Sequence, residues 1–364
     1  MKKTVGFISA NYTSHDFGGL TDERSYASLP FGGRYRLIDF PLSNMVNSGI
    51  NTVGVVAPYN FRSLLDHLGD GKSWDISRKV GGMYVLPGSV YGVYTGNSKF
   101  LLRDLIENRR FFERDEPANV LISGSNMIYN MDYRPLIESH EKSACPVTFL
   151  YKTVDREEPG LYLDVDENGS VKKIDYENTG SNKLFLDCMV VEYNFLMNFI
   201  NWFSTLDYMD IVEIMMGQLG EIGADAYEFT GYVGNIETAD DYMRVNMDLL
   251  TQSVHEELFD GERQIYTKVQ DEAPVLYRPG ASVKNSLIAT GCVIEGSVEN
   301  CIIARGVRVK KGAVLKNCII NQSSYVLENA RVENVIADKY VTINPGTEVK
   351  GGEKPLIINK NQSL

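Results

Sequence analysis

The stretch GASVKNSLIATGCVIEGSVENCIIARGVRVKKGAVLKNCII, residues Gly280–Ile320, decides the fold of the C-terminal part of the chain. From here onward, β-branched residues recur about every five or six positions, with glycine or asparagine at the corners between them. The residues that mark this period are Val293, Val298, Ile303, Val309, Val314, Ile320, Val326 and Val332. Strands of a β-sandwich would instead be spaced about 8–12 residues apart. Because hexad-like repeats stack as coils that bury their apolar corners, we predict a left-handed parallel β-helix over residues 274–364.

The first two-thirds of the chain has a different pattern, in which short apolar runs alternate with amphipathic helical stretches. TVGFISA (Thr4–Ala10) and NVLIS (Asn119–Ser123) are typical of strands, and KFLLRDLIENRRFF (Lys99–Phe112) of a helix. This alternation predicts an α/β domain with a mostly parallel sheet, whose ligands bind at the carboxyl ends of the strands. We place this domain at residues 1–255 and a linker at 256–273.

Composition excludes several function classes. The formal net charge of −12 argues against general nucleic-acid binding, because there is no excess of lysine or arginine to replace phosphate counterions. Five cysteines without a C-x-x-C pair indicate free thiols in a reducing compartment. No stretch reaches the roughly 18 apolar residues of a membrane helix, and the first apolar run is too short for a signal peptide. We therefore expect a cytoplasmic protein that binds neither nucleic acid nor membranes.

A β-helix alone does not define a function. Many hexapeptide-repeat proteins are acyltransferases that use a histidine on the coils as a general base. All four histidines of this chain precede the repeats: His15, His67, His140 and His255. We therefore interpret the coils as a scaffold for oligomerisation, or for an effector pocket at the junction between the two domains.

PFGGRYRLIDFPLSNMVNSGI, residues 30–50, together with the two-part architecture, resembles the bacterial ADP-glucose pyrophosphorylase (glucose-1-phosphate adenylyltransferase) family. HLGDGKSWDISRKVGGMYVLPG (67–88) and IYNMDYRPLIESH (128–140) extend this resemblance along the chain. It implies a Rossmann-like, GT-A-like nucleotidyltransferase domain that joins ATP to glucose 1-phosphate. In that reaction pyrophosphate leaves and Mg²⁺ neutralises charge, so catalysis is mostly positioning and electrostatics.

The family's phosphate loop, A-G-G-x-G-x-R-L, is changed in this chain. Aligned without gaps, its three glycines fall on Asn11, Tyr12 and Ser14, and its arginine falls on Asp16. An aspartate beside a triphosphate replaces attraction by repulsion, about 4 kcal/mol per unit charge at ~4 Å in an effective dielectric of ~20. The Gly18–Gly19 pair that remains is interpreted as a turn. The resemblance therefore implies that the phosphate cradle is missing.

The metal and sugar-phosphate positions are changed as well. The family's two metal-binding aspartates fall on Asn126 and Asn235, and its sugar-phosphate lysine falls on Asn178. The segment G-T-A-D-A, near the base and the sugar, meets GNSKF at Gly96–Phe100. Because Mg²⁺ prefers charged oxygen ligands, we expect no metal or other cofactor in this chain, and Mg²⁺ in a catalytic partner. Restoring both aspartates is expected to raise metal affinity yet recover little activity.

These departures resemble the GlgD-type, non-catalytic subunits of the family, which pair with a catalytic subunit. The resemblance then implies a regulatory, catalytically silent chain in a heterotetramer that makes ADP-glucose for glycogen synthesis. Two alternatives stay open. One is a weakly active glucose-1-phosphate adenylyltransferase with a remodelled site, and the other is a free-standing sensor of sugar phosphates or nucleotide sugars.

Arg24, Arg34 and Arg36 are the best cationic cluster that the N-terminal part retains. In the wider family, arginines of this segment help to bind phosphorylated effectors at the junction with the β-helix. The alternative is a structural role, as salt-bridge partners of the plentiful acidic residues. With Asn178, these three arginines are the candidate residues for binding a substrate or an effector.

Overall fold

The structure is a computed structural model that describes residues 2–12, 17–58, 60–76, 81–89 and 98–364. Among the residues singled out above, Ser14, His15 and Asp16 lie outside the described residues, and so do Gly96 and Asn97, the first two residues of the GNSKF segment.

Helices and strands alternate through the N-terminal part. Its described α-helices are α1 Asp39–Asn47, α2 Arg62–Leu68, α3 Leu102–Glu107, α4 Arg109–Asp115, α5 Arg134–Lys142, α6 Tyr193–Trp202, α7 Ile211–Ile222, α8 Ala239–Asp248 and α9 Gln252–Phe259. Its described strands are β1 Thr4–Ser9, β2 Pro30–Phe31, β3 Tyr35–Arg36, β4 Thr52–Ala57, β5 Gly82–Pro87, β6 Asn119–Ser123, β7 Met127–Ile128, β8 Val147–Thr153, β9 Tyr162–Val165, β10 Val171–Asp175, β11 Lys183–Glu192, β12 Asp225–Glu228 and β13 Gly234–Asn235.

In the described ranges, nine strands form the sheet at the centre of this part. Strands β5, β4, β1 and β6 are parallel neighbours, as the alternation of strands and helices predicts. The other half is mixed, because β11 runs antiparallel to both β6 and β8. The β9–β10 hairpin lies between β8 and β11 in the chain, and strands joined without a helical crossover can pair antiparallel. The α/β class is confirmed, while the sheet is mixed rather than mostly parallel.

The C-terminal part is the β-helix that the repeats predict. Its strands are β14 Leu276–Tyr277, β15 Ser282–Lys284, β16 Leu287–Ile288, β17 Val293–Ile294, β18 Ser297–Glu299, β19 Ile302–Ile303, β20 Arg308–Val309, β21 Val314–Ile320, β22 Tyr325–Val326, β23 Arg331–Ala337, β24 Thr342–Ile343, β25 Glu348–Lys350 and β26 Leu356–Ile358. They pair in parallel along three faces, so each coil stacks on the next.

Stacked apolar side chains fill the inside of the coils. One face aligns Val283, Val298, Leu315, Val332 and Val349, so equivalent residues recur after 15 or 17 positions. Each coil has three sides of five or six residues, and this accounts for the spacing. Because the repeat is local and regular, the sequence pattern alone is sufficient to predict this part of the fold.

The two parts share a hydrophobic core. Phe31, Tyr242 and Leu258 of the N-terminal part belong to the same buried cluster as Ile302 and Ile319 of the coils. Helix α9 continues to Phe259, so the predicted boundary after residue 255 falls inside a helix, and residues 260–275 contain neither helix nor strand. In the described ranges, no helix is long and apolar enough to cross a membrane.

The N-terminal segment also packs against the last coil. Gly18 and Gly19 have φ values of 51° and 96°, which favour glycine. A Cβ atom at Gly18 would lie 2.5 Å from Ile357 Cδ1, and one at Gly19 would lie 2.6 Å from Asn359 Nδ2. The glycine pair therefore forms the predicted turn and also allows this close approach.

Candidate functional site

Five polar side chains meet at the carboxyl ends of the central strands, where the α/β fold places ligands. Tyr12 follows β1, Asn126 lies between β6 and β7, and Lys99 precedes α3. Asp187 has φ 47° and lies where the pairing of β11 with β8 shifts its register, and Glu237 follows β13. Tyr12 and Asn126 are the two of these five that the sequence marks individually, and Lys99 lies in the segment that meets the family's G-T-A-D-A.

Lys99 joins two acidic side chains in this group. Its Nζ lies 2.6 Å from Asp187 Oδ2 and 2.5 Å from Glu237 Oε1. Burial alone would lower the pKa of Lys99, but the carboxylates of Asp187 and Glu237 outweigh it and raise that pKa. Lys99 is therefore a charged ammonium between two acids.

Asn126 and Tyr12 complete the group. Asn126 Nδ2 donates hydrogen bonds to Asp187 Oδ2 at 2.8 Å and to Glu237 Oε1 at 2.9 Å. The Tyr12 hydroxyl donates to Asn126 Oδ1 at 3.2 Å and accepts a bond from the Ser125 backbone N–H. Burial raises the pKa of Tyr12, which keeps the phenol neutral. The position of one family glycine is thus filled by a buried aromatic ring.

Asn11 and Asn235 have other partners. Asn11 Nδ2 donates to Asp104 Oδ2 at 2.8 Å and to the Ser89 carbonyl at 2.9 Å. Asn235 pairs with Met127 in the short β7–β13 sheet, and its Nδ2 donates to the Pro159 carbonyl at 2.6 Å. Of the two asparagines at the metal positions, Asn235 lies on β13 and Asn126 directly precedes β7, and in the described structure only Asn126 contacts Asp187 and Glu237, the partners of Lys99. Among the described residues, no group of three or more His, Cys, Asp or Glu side chains could hold a metal ion.

Asn178 lies in an exposed loop, and its contacts are local. Its Nδ2 donates to Asn182 Oδ1 at 2.6 Å, and its Oδ1 accepts from the backbone N–H groups of Gly180 and Asn182. The structure therefore gives Asn178 a turn-stabilising role and does not place it in either pocket described below.

A cationic pocket of about 90 Å³ lies at the junction of the two parts, and we call it the anion pocket. Its charged lining comes from three regions of the chain: Arg34, Arg36 and Asp66 from the N-terminal part, Lys268 from the linker, and Arg305 and Lys339 from the coils. Five cations thus face one carboxylate. In the described part of the chain, the side chains of Arg34, Arg305 and Lys339 form no close ion pair.

The electrostatics of the pocket follow from this excess of positive charge. Burial and the nearby guanidinium groups of Arg36 and Arg24 lower the pKa of Lys339 to about 7. Burial also lowers the pKa of Arg36 to about 10, and Arg36 Nη1 donates to Ser63 Oγ at 2.9 Å. The pocket suits a small anion such as a phosphoryl group, because Arg and Lys donors bind phosphate strongly.

The three candidate arginines have different environments. Arg24 is 4% exposed, and its guanidinium forms a two-pronged salt bridge with Asp338, at 2.8 Å and 2.6 Å. Arg24 therefore fits the structural role, that of a salt-bridge partner, whereas Arg34 and Arg36 line the pocket. Lys268, Arg305 and Lys339 were not predicted from the sequence, because they join Arg36 in one pocket only when the linker and the coils pack against the N-terminal part.

A larger groove of about 490 Å³ adjoins the anion pocket. The two share Arg34, Tyr35, Gln270 and Arg305, and the ring of Tyr35 stacks on Phe259 with centroids 5.0 Å apart. A phosphorylated ligand larger than phosphate itself has room to extend from the pocket into this groove.

The fold and the strand-end site define a nucleotidyltransferase-type protein with a hexapeptide β-helix. Residues 17–175 match the family described as nucleotidyl transferase, and residues 277–355 match the family described as GlmU-like, C-terminal hexapeptide. The two matched regions lie in the two parts of the structure.

Comparison with known proteins identifies the family. Over 358 residues the chain is 34% identical to the glycogen biosynthesis protein GlgD of Bacillus subtilis (strain 168), covering 98% of this chain and 95% of that protein. It is 31% identical over 334 residues to glucose-1-phosphate adenylyltransferase of Clostridium perfringens (strain 13 / Type A), covering 88% and 83%. A GlgD from Geobacillus stearothermophilus is 33% identical over 314 residues, covering 86% and 83%. The chain therefore belongs to the glycogen-biosynthesis family of GlgD proteins and glucose-1-phosphate adenylyltransferases.

Proposed function

We propose that this chain is a regulatory, catalytically silent subunit of bacterial ADP-glucose pyrophosphorylase in glycogen biosynthesis. It modulates a catalytic partner that makes ADP-glucose from ATP and glucose 1-phosphate. The observation that carries the proposal is that the strand-end site is filled by side chains, whereas the pocket at the domain junction is open and cationic. The strand ends hold Tyr12, Asn126 and Lys99, while an excess of positive charge lies at the domain junction. Similarity both to GlgD proteins and to glucose-1-phosphate adenylyltransferases supports it.

Binding of a triphosphate at the strand ends is disfavoured by the side chains there. A phosphate cradle needs open backbone N–H groups and cationic side chains. Asn11 and Tyr12 are 1% and 6% exposed, and both carry side chains where the family has glycine. Lys99, a cation in this region, is already held by two carboxylates. This chain therefore contributes little chemistry of its own.

The anion pocket supports a regulatory role, with a phosphorylated metabolite as effector. Its cations come from both parts of the chain, so an anion bound there contacts the α/β domain and the coils together. The population of each relative arrangement of the two parts depends on its free energy. An effector shifts this equilibrium only if it binds one arrangement more tightly than the other. A subunit that responds in this way changes the partner's response to metabolites rather than its chemistry.

For the assembly we propose a heterotetramer with the catalytic subunit, in the cytoplasm, with Mg²⁺ held by the partner. The five cysteines are free, which suits a reducing compartment. Sedimentation of an equimolar mixture should give one species larger than either subunit alone. Two independently sedimenting species would count against the assembly.

The regulatory role is tested by activation curves of the complex. The catalytic subunit is assayed alone, with this chain, and with a chain carrying Arg34→Gln and Arg305→Gln, while a sugar phosphate is titrated. We expect wild type to shift the midpoint of activation and the double variant to lose that shift. A matched control, Lys316→Gln with Arg331→Gln, removes the same charge from exposed coil positions outside the pocket.

The same experiments separate the alternatives. ADP-glucose synthesis by the isolated chain would favour a weakly active adenylyltransferase. Effector binding by a chain that never co-purifies with a catalytic subunit would favour a free-standing sensor. Identical activation curves for wild type and for the pocket variant would contradict the regulatory site.

A further inference from the structure

One ammonium and one amide share the same two carboxylate oxygens at the strand ends. Lys99 Nζ and Asn126 Nδ2 both contact Asp187 Oδ2 and Glu237 Oε1, at distances between 2.5 and 2.9 Å. The side chains of Lys99 and Asp187 are 15% and 7% exposed. Two acids that would repel each other in this shielded place are thus held together by groups of this chain.

Mg²⁺, which the resemblance implies for catalytic members of the family, does not fit this arrangement. The ion demands near-octahedral oxygen ligands at about 2.0–2.1 Å. Asp187 Oδ2 and Glu237 Oε1 already face an ammonium and an amide, and Asn126 Oδ1 accepts a bond from Tyr12. A divalent cation placed between the acids would also lie against the Lys99 ammonium, so its binding would be opposed by repulsion.

We propose that Lys99 is a tethered cation, which occupies the space between Asp187 and Glu237 beside Asn126, one of the two family metal positions, and keeps this space closed to divalent metal ions. Its positive charge lies between the two carboxylates, and the Asn126 N–H groups stabilise them without adding charge. The ammonium also anchors Asp187, whose φ of 47° is uncommon for a residue other than glycine. Loss of catalysis in this chain would then involve closure of this space to metal ions and not only loss of their ligands.

The proposed role of Lys99 changes the metal affinity expected when aspartate is placed at residues 126 and 235. From the sequence alone, Asn126→Asp with Asn235→Asp should raise metal affinity. With Lys99 in place, a third carboxylate at residue 126 meets an ammonium that already occupies the centre of the group. Metal binding should therefore require the removal of Lys99 as well. The inference does not depend on the regulatory function, since a tethered cation could exist in a chain that regulates nothing.

The first test is thermal unfolding of the full chain in MgCl₂ or MnCl₂ and in NaCl of equal ionic strength. Wild type should melt at the same temperature in each salt. Lys99→Met, which keeps the length and removes the charge, should melt several degrees lower in NaCl and recover part of that loss in MnCl₂. Lys173→Met, which removes an exposed lysine paired with Asp175, is the matched control and should change little.

The second test is Mn²⁺ binding followed by electron paramagnetic resonance. Lys99→Met with Asn126→Asp should bind Mn²⁺ at least about tenfold more tightly than Asn126→Asp alone, because the repelling charge is gone. Equal affinities would overturn the proposal, and so would a Lys99→Met variant as stable as wild type. If Lys99→Met does not fold, wild type itself decides: Mn²⁺ bound by wild type and lost in Asp187→Asn would overturn the proposal. Absence of such binding would support it.

Discussion

At the scale of single residues, the cations of the two sites have two kinds of environment. Arg24 and Lys99 are paired with carboxylates at 2.5–2.8 Å, whereas Arg34, Arg305 and Lys339 face one another across the anion pocket. A paired buried charge matters mainly through the cost of separating the pair. Clustered cations without close partners disfavour the free folded state and are available to an anionic ligand. Substitutions in the two groups should therefore have opposite effects on stability.

The first prediction concerns the pair that joins the N-terminal segment to the coils. Arg24→Ala leaves Asp338 buried without its partner, so we expect the free energy of unfolding to fall by about 3–5 kcal/mol. Denaturant titration followed by circular dichroism measures this loss. Asp338→Ala in the Arg24→Ala background should cost little more, because the pair is already broken. We call this pair the Arg24–Asp338 clamp. A loss below about 1 kcal/mol, typical of exposed ion pairs, would contradict a stabilising role of the clamp.

The second prediction follows from the pKa of Lys339, which is about 7 in the folded chain. A bound anion favours the protonated ammonium, so anion binding above pH 7 must be accompanied by proton uptake. Sulfate keeps a constant charge near neutrality and is the suitable probe. Its affinity should be nearly constant below pH 7 and then fall, by up to about tenfold per pH unit, as pH rises further.

Lys339→Met is the control for this titration. The variant should bind sulfate more weakly at pH 6 and lose the pH dependence between pH 7 and 8.5. Because the folded pKa lies below that of an unfolded lysine, protonated Lys339 opposes folding most fully below pH 7, and this cost fades as pH rises. The free variant should therefore be more stable than wild type at pH 6. An unchanged pH profile in the variant would assign the dependence to another group.

At the scale of elements, a row of asparagines shapes the coils. Asn285, Asn300, Asn317 and Asn334 recur at the same corner of successive coils, with φ between 40° and 53°. Asparagine tolerates this left-handed conformation better than other residues with a Cβ atom, and β-branched residues tolerate it poorly. The repeat therefore specifies corners as well as its apolar interior.

The third prediction uses this corner. Asn317→Val should lower the free energy of unfolding by about 1–3 kcal/mol, because a β-branched residue is strained at φ 50°. Asn317→Gly should cost less, since glycine adopts this φ freely. The difference between the two variants in thermal and denaturant unfolding isolates the backbone term. Equal losses in both variants would instead assign the effect to the missing amide side chain.

Elements also show which features the sequence can predict. The coils are predictable because each Val, Ile or Asn acts on its neighbours in the adjacent coils, at a fixed separation. The strand-end group is different, because Lys99, Asp187 and Glu237 come from distant segments of ordinary composition. Lys99 carries one signal, since it falls within the segment that the family writes G-T-A-D-A. The pairing of Arg24 with Asp338 has no local signal at all.

At the scale of the whole molecule, the α/β domain and the coils share one core and one cationic pocket. Substrate binding at the strand ends and effector binding at the junction would therefore act on a connected structure. The proposed function places effector binding at the junction and no catalysis at the strand ends of this chain.

The fourth prediction is that the isolated chain releases no appreciable pyrophosphate from ATP, glucose 1-phosphate and Mg²⁺. If each of the two lost aspartates costs about 3 kcal/mol, the rate falls by roughly four orders of magnitude. Asn126→Asp with Asn235→Asp should restore little activity, because Asn11 and Tyr12 still fill the cradle. Adding the glycines of the phosphate loop and Lys99→Met should have strongly non-additive effects. Robust turnover by the unmodified chain would refute catalytic silence.

The Arg24–Asp338 clamp has a consequence for how the protein is made. Its two residues are separated by 314 positions, and Glu23 and Lys360 form a further contact over 337 positions. While the chain emerges from the ribosome, Arg24 has no partner until 314 further residues have been added. Contacts so distant in sequence form late and are slow to find. The docking of the coils around Asp338 should therefore be a late step of folding, and a chain that has not yet docked them would expose Arg24 to chaperones or proteases.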